Sequence, residues 1–550
     1  MGLLSSFGMT NVHARRNRRI PWSLVCIVVI ATVLRLAIID RDALWLDEGY
    51  SWWDARQSFA SLWSLVPQCD PHPPLYFALL HAWIALFGDG TIAMRALSAL
   101  LGIATVVVVY FAGSELDAAR AESNGYVGIF GVANLAALLF ALTPFQIYFS
   151  IEARPYALLC FGAALLTLGS LKVVRSAGNT QPSDAATRAG PFRHRSFFGH
   201  VSRGGWSTLV VGAAVVVWTN NTAVLLLGAV SAAFIALWLF DRSQRRTVRP
   251  LIAAGVVVLL LWAPDLPLLV SQMREVSEDF WIPPPTLQGF TFELHYLIGL
   301  DAIGAVWWMA LAMIGGLALL WRRIGWQLAV MVGALAILPV VFNVAISVAF
   351  KPILISRALI VATPAMVLAL AAAVVLVKPR ALRLSIAAGM IAAHAIASAA
   401  LLRADHVKEP WKAIVARLAT QAREATILVV PNEIALPLAH EAKAGNVSLK
   451  VRGVPADFPA TGMKARYPSG KCAPSVVGLN HGPLIDNLRA ESDVILLTRR
   501  NNTYDPDEAI VAALRSAGFR LQSDEVFQPG DLRLMRFSRT ASQENRARPS

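Results

Sequence analysis

The sequence predicts an α-helical polytopic membrane protein with about eleven transmembrane helices, interfacial helices in the first outer loop, and a small C-terminal α/β periplasmic domain. Three observations carry that prediction. The 550 residues are 56% hydrophobic and 15% charged, with mean hydropathy +0.55, against roughly 45–50% apolar and about 25% charged in soluble domains. The apolar residues gather in runs of about 20, the length that crosses a hydrocarbon core. The net charge of +14 is concentrated in short arginine clusters between those runs. A soluble enzyme and a disordered scaffold are excluded, and four cysteines are too few for a disulfide framework.

Residues 1–19 form a basic N-terminus holding Arg15, Arg16, Arg18 and Arg19. The transmembrane unit covers 20–402, with runs near 20–39, 91–113, 126–146, 156–174, 251–270, 302–321, 326–350, 358–377 and 383–402. The stretch 205–240 is long enough for two spans, broken at Trp218-Thr219-Asn220. Arg35 interrupts the first run and no small-residue cleavage pattern follows, so it reads as a span rather than a cleavable signal. Further clusters hold Arg175, Arg188, Arg193, Arg195 and Arg203; Arg242, Arg245, Arg246 and Arg249; Arg322 and Arg323; Lys378, Arg380 and Arg383. Cationic loops are retained on the cytoplasmic side during insertion, so this charge reports topology and not a nucleic-acid partner.

Pro73 to Phe87 is apolar but short, and carries Pro74, His81 and Trp83. As a span it would set the first arginine cluster opposite all later ones; as an interfacial helix it leaves every cluster on one side. The expected arrangement is then a multi-pass inner-membrane protein with a cytoplasmic N-terminus. Loops 40–90, 147–155, 219–222, 271–301, 351–357 and everything after 403 lie on the far side.

Residues 403–550 form the expected periplasmic domain. Thr426–Val430, Val494–Leu497 and Leu532–Phe537 read as strands, and Trp411–Arg423 as a helix. Pro506–Ala517 reads as a second helix, with Asp505 as N-cap and Gly518 just past its end. The last dozen residues look frayed.

The far side collects the unusual residues. Asp47-Glu48-Gly49-Tyr50 sits just beyond the first span. Carboxylates desolvated at a membrane boundary rise in pKa toward base-competent values, although an exposed, solvated loop gives the same pattern. Asp70-Pro71-His72-Pro73-Pro74-Leu75-Tyr76 opens the interfacial helix, where prolines aim N-terminal amides that, with His72, can hold an anion; a rigid turn is the plainer reading. Glu152-Ala153-Arg154-Pro155-Tyr156 is a tight turn between spans. Its arginine either snorkels or offers a planar fork to two phosphate oxygens. Lys351 and Arg357 flank another such turn, as anchors or as further phosphate ligands. The loop Glu278 to Pro285 reads as a cap or acceptor rim. An acid pair, several cations and an amphipathic shelf at one surface suit a substrate with a charged head in water and a tail in lipid.

The order Asp47-Glu48, His72-Pro73-Pro74-Leu75-Tyr76, Arg95 with Ser98-Ala99-Leu100, then Glu152-Ala153-Arg154-Pro155-Tyr156 resembles the C-type glycosyltransferases, the relatives of protein mannosyltransferase, aminoarabinose transferase and the RgtA/B/C/D-like transferases. The resemblance covers about residues 20–375 and is specific in the first 160; the tail domain matches no known pattern. It implies an enzyme moving a sugar from a polyprenyl-phosphate donor to an envelope glycan, lipid or protein acceptor on the periplasmic face. The catalytic carboxylate corresponds to Asp47, with Glu48 beside it. Arg154, His72, Lys351 and Arg357 are the candidate phosphate ligands, and Tyr50, Tyr76, Glu152 and Tyr156 the candidate substrate contacts.

The chemistry is coherent on its own. A sugar phosphodiester has an activated anomeric carbon and a leaving group that needs cations rather than a proton donor, so one carboxylate base allows a single inverting displacement. No metal-ligand cluster is evident and no cofactor is expected; the partners are the lipid-linked donor, its acceptor and membrane lipids. A transporter or flippase of lipid-linked saccharides would place ionisable residues near the midplane on broken helices, often in repeats. A polymer ligase using the same carriers remains open. Cys26 and Cys160 fall inside spans, while Cys69 and Cys472 both face the oxidising side, which leaves open a bond between the first loop and the tail.

Overall fold

The computed structural model describes residues 21–124, 130–178, 202–275, 282, 284–298, 303–405, 408–421, 425–461, 472–477, 488, 491–499 and 504–539. The Arg15 to Arg19 cluster, Arg188, Arg193, Arg195, most of the Glu278–Pro285 loop and the terminal residues from 540 onward lie outside them.

Helices occupy each apolar run. Among the described residues, seven are long and apolar enough to cross a membrane: Thr91–Glu122, Tyr156–Gly178, Asn221–Phe240, Gln244–Ser271, Trp326–Ala349, Ser356–Val375 and Arg380–Arg403. Ile303–Arg323 adds 21 residues, and Trp22–Leu36 and Arg203–Val217 are shorter apolar helices. Within the run expected at 126–146 as one span, the described residues form a bent pair, Val132–Leu142 and Pro144–Ser150, meeting at 64°. Thr143 is extended between them and Pro144 sits at the start of the second piece, where its missing N–H costs no intrahelical bond.

Small residues bring the helices together. At Gly212 a Cβ would stand 2.4 Å from Leu166 N and 2.8 Å from Gly162 O, so Arg203–Val217 lies against Tyr156–Gly178 with backbones nearly touching. Between helices inside a bilayer, where the hydrophobic effect offers little, such close packing is the main attraction.

The first loop folds as Leu46–Ala55, Ser61–Ser64, Val66–Cys69 and Leu75–Phe87. Leu75–Phe87 buries Tyr76, Phe77 and Leu80 and exposes Leu79, Leu86 and Phe87, the two-faced pattern expected of a helix lying on its side.

The tail is a five-stranded sheet flanked by helices. Its strands are β1 (Thr426–Val430), β2 (Lys450–Gly453), β3 (Asp493–Arg499), β4 (Arg520–Phe527) and β5 (Leu532–Ser538), in the order β2-β1-β3-β5-β4. β1 pairs in parallel with β2 and β3, and β5 is antiparallel to β3 and β4. Every residue of β1 is buried, as befits a central strand covered on both faces. One face packs on Trp411, Ile414 and Leu418 together with Ala43 and Leu46 of the first loop, so the tail core includes residues from the start of the chain. The helix expected at Pro506–Ala517 begins only at Ala509. Asp505 still caps it, its carboxylate accepting the Ala509 and Ile510 N–H groups at 2.6 and 3.2 Å. The intervening residues instead form a turn through Glu508 at φ 48°. Gly518, at φ 87°, ends it as expected.

Candidate active site

The two adjacent carboxylates have different surroundings. Helix Leu46–Ala55 places residues 47 and 48 about 100° apart around its axis. Glu48 turns inward and is fully buried. Its oxygens accept from Arg95 Nε at 2.8 Å and Nη2 at 2.6 Å, and from the Ala153 N–H at 2.9 Å, with Lys408 Nζ 3.3 Å away. Arg95 spends its remaining N–H groups on the carbonyls of Ile39, Asp42 and Ala43 at 2.7–2.9 Å. Burial alone would raise the Glu48 pKa; the charge on Arg95, then Lys408, then the hydrogen bonds overcome this and bring it down to about 2. Glu48 thus ties the first loop, the Thr91 helix, the turn at 152–154 and the entry to the tail into one point.

Asp47 turns the other way, into a cavity of about 550 Å³. Its Oδ2 pairs with Arg357 Nη1 at 3.0 Å, both residues being about one-quarter exposed. Arg357 also lies over the Tyr156 ring, 5.7 Å from its centroid. Arg154 reaches the same wall. Its Nη1 donates to Asp70 Oδ2 at 2.8 Å, to the Asp47 carbonyl at 3.2 Å and to Ser51 Oγ at 3.4 Å, while Nη2 lies 3.1 Å from His72 Nδ1. His72 Nδ1 is also 2.6 Å from Asp70 Oδ1.

Three titrations shape this wall. Burial pushes the Asp70 carboxyl up, but the Arg154 charge and then His72 hold it well below the usual carboxylate range. Burial lowers the His72 pKa more than Asp70 restores it, so near neutral pH its imidazole is an uncharged hydrogen-bonding group rather than a cation. Glu152 is buried, and neither oxygen has a hydrogen-bond partner. Lys408 Nζ stands 3.9 Å away. Burial raises the Glu152 pKa, Lys408 opposes this, and the charges of Glu48 and Asp47 add to the rise, leaving it at about 7.

Of the residues singled out in the sequence, Asp47, Tyr50, His72, Glu152, Arg154 and Arg357 line the cavity. Glu48, Tyr76, Tyr156 and Lys351 do not. Glu48 is occupied by Arg95, as above. Tyr76 is fully buried with its hydroxyl 2.9 Å from Ser98 Oγ. Tyr156 is buried behind the wall, its ring against His72 and under Arg357. Lys351 follows the end of helix Trp326–Ala349, outside the lining set. Three lining residues come from the tail: Glu433, Arg499 and Tyr504. Glu433 lies three residues past the end of β1 and Arg499 ends β3, so polar residues at or just beyond the C-terminal ends of two parallel strands were the signal that would have found them. Cys69 and Cys472 are bonded, across 403 residues of sequence, and Cys69 lines the cavity. Among the described residues no group of three His, Cys, Asp or Glu side chains could hold a metal ion.

No protein-family model matches the sequence, and no curated protein does. Among solved structures, ArnT from Cupriavidus metallidurans in the apo state superposes with TM-score 0.59 and 16% identity, covering 96% of this chain and 99% of that one. The same protein bound to undecaprenyl phosphate gives TM-score 0.56 at the same identity and coverage. An Archaeoglobus fulgidus oligosaccharyltransferase tethered with an acceptor peptide aligns more loosely, with TM-score 0.46 and 12% identity over 86% of this chain and 68% of that one. The chain therefore has the ArnT fold over 96% of its length, at an identity that shows the fold alone.

Proposed function

We propose, from that shared fold and from the cavity, that the protein is a membrane glycosyltransferase that takes a sugar from a polyprenyl-phosphate donor and passes it to an envelope acceptor. The observation that carries the proposal is the Asp47–Arg357 pair. A carboxylate and a guanidinium meet in one cavity at the head of a membrane-capable helix, Ser356–Val375, where a lipid phosphate and the sugar attached to it would lie. The ArnT structure that superposes on this chain holds undecaprenyl phosphate, which supports a ligand of that class.

On this reading the donor phosphate takes the Arg357 fork in exchange for Asp47, since a planar guanidinium matches two phosphate oxygens. Arg154 donates to the same oxygens, and the uncharged His72, its one ring N–H held by the Asp70 carboxylate, positions Arg154 and Asp70. Asp47, released from its partner, accepts the proton of the acceptor hydroxyl. The acceptor oxygen bonds to the anomeric carbon as the bond to the phosphate oxygen breaks, and the electron pair leaves with the lipid phosphate. One base suffices, and the anomeric configuration inverts. The cavity then faces the periplasm, with the N-terminus cytoplasmic and the protein in the inner membrane.

The test is to incubate the purified protein in bilayers with a panel of polyprenyl-phosphate sugars and native envelope extract, following loss of the lipid donor. Consumption of at least one donor, abolished by Asp47→Asn, is expected. A folded wild-type protein that leaves every donor intact overturns the proposal.

A further inference from the structure

The tail domain has no part in the displacement just described, yet it forms one wall of the cavity. In open α/β sheets a ligand crevice arises beyond the carboxyl ends of strands at the point where the strand order reverses. Here β1 is followed by β2 on one side and flanked by β3 on the other, so the reversal falls between β1 and β3. Glu433, three residues beyond β1, and Arg499, the last residue of β3, both line the cavity. The natural ligand crevice of the tail and the membrane-side cavity are therefore the same space.

The chemistry of this wall differs from that around Arg357. Glu433 accepts hydrogen bonds from the hydroxyls of Tyr50 and Tyr504. Arg499 is paired with Glu409, whose carboxylate also accepts from the Leu46 N–H at 3.0 Å and Trp411 Nε1 at 2.8 Å. The cation is balanced locally, so this wall has no surplus positive charge for a second phosphate. With the phenol protons given to Glu433, the wall offers a ligand phenol and carboxylate oxygens as acceptors and the partly exposed guanidinium edge of Arg499 as donor, a set that matches an uncharged polyhydroxyl. The Cys69–Cys472 bond fastens the wall to the loop that carries Asp70 and His72.

We propose that Arg499, Tyr504 and Glu433 form a sugar-recognition subsite, contacting hydroxyls of the transferred glycosyl group while Arg357 takes the phosphate. The inference rests on the glycosyltransferase reading and assigns the tail domain the role of donor selection. It suspends the sugar between two walls, with its anomeric carbon at the Asp47 end.

The test compares binding of undecaprenyl phosphate with that of undecaprenyl-phosphate-linked mannose, glucose and galactose to the full-length protein in lipid nanodiscs. Arg499→Gln should weaken the best-bound sugar-linked donor by roughly tenfold or more, the scale of one lost hydrogen bond to a charged group, and Tyr504→Phe by about threefold, that of a neutral one; both should leave undecaprenyl phosphate unchanged. Arg499→Lys should recover part of the loss. Arg357→Gln should weaken both ligands alike. The inference is overturned if the tail variants leave sugar-linked donors unaffected or weaken undecaprenyl phosphate by the same factor. It is also overturned if wild-type protein binds undecaprenyl phosphate but gains nothing from any of the three sugars. Wild-type protein that binds no prenyl phosphate at all would instead remove the glycosyltransferase reading beneath it. Tyr504→Phe also removes a hydrogen bond to the buried Glu433, so the undecaprenyl phosphate control, and not melting temperature, separates recognition from folding in that variant.

Discussion

The cluster around Glu48 and the cavity beside Asp47 begin one residue apart and use charge in opposite ways. In the cluster each Glu48 oxygen is committed to Arg95, with Ala153 and Lys408 completing the shell. In the cavity Asp47 has a partly exposed partner, and Glu152 has two oxygens with no hydrogen bond. A satisfied buried ion pair fixes geometry; an under-satisfied or exchangeable one leaves capacity for a ligand. One helical step separates the residue that builds the site from the residue that the site exposes.

That contrast can be broken most severely at Glu48. Glu48→Ala should remove about 3–5 kcal/mol of stability, because Arg95 is left as a buried charge without its partner. Thermal unfolding in detergent would show it, with expression and activity falling together. Asp47→Asn should do the reverse. Donor consumption should drop roughly 10²–10⁴-fold, the range for loss of a general base, while the melting temperature holds. If the two variants behave alike, the division between them is wrong.

Arg357→Gln should sharpen the picture from the cation side. Loss of a charge-assisted hydrogen bond, about 1.5–3 kcal/mol, raises the KM for lipid donor by roughly ten- to a hundredfold. Steady-state kinetics at saturating acceptor would measure it.

The smallest effect concerns pH. Glu152 titrates at about 7 in the folded chain against an ordinary 4.5, so between those values the folded state holds a proton that the unfolded state has lost. Stability from this group is full below the lower value and declines as pH rises through that window. Glu48 has the opposite sign: its pKa of about 2 means its contribution is present above 4.5 and lost as pH falls toward 2. Melting temperature against pH should therefore flatten between about 4.5 and 7 in Glu152→Gln; an unchanged slope would assign the window to other groups.

Much of this was legible in the amino-acid order. Apolar runs located the helices, and β1 was read to its exact ends. Asp47, Arg154 and Arg357 were singled out from residue type, their place in loops on one expected side and the family resemblance, and they line one cavity. What escaped reading depends on partners remote in the chain. Nothing near Glu48 announces Arg95, 47 residues on, or Lys408, 360 residues on. Lys351 and Arg357 look equivalent in sequence, yet only Arg357 enters the short helix whose start faces the cavity. Tyr76 and Ser98 satisfy each other inside the fold, which explains a motif position without giving it a ligand. Glu433 and Arg499 acquire meaning only through strand order, which no local pattern encodes.

Because the pocket's boundary runs from Trp45 to Tyr504, it is a late product of synthesis. The opening helices can be in place with Asp47 held ready, yet the opposite side of the chamber arrives hundreds of residues afterward and is then riveted to Cys69. Truncated copies thus lack an enclosure for the substrate, whatever chemistry their early loops contain.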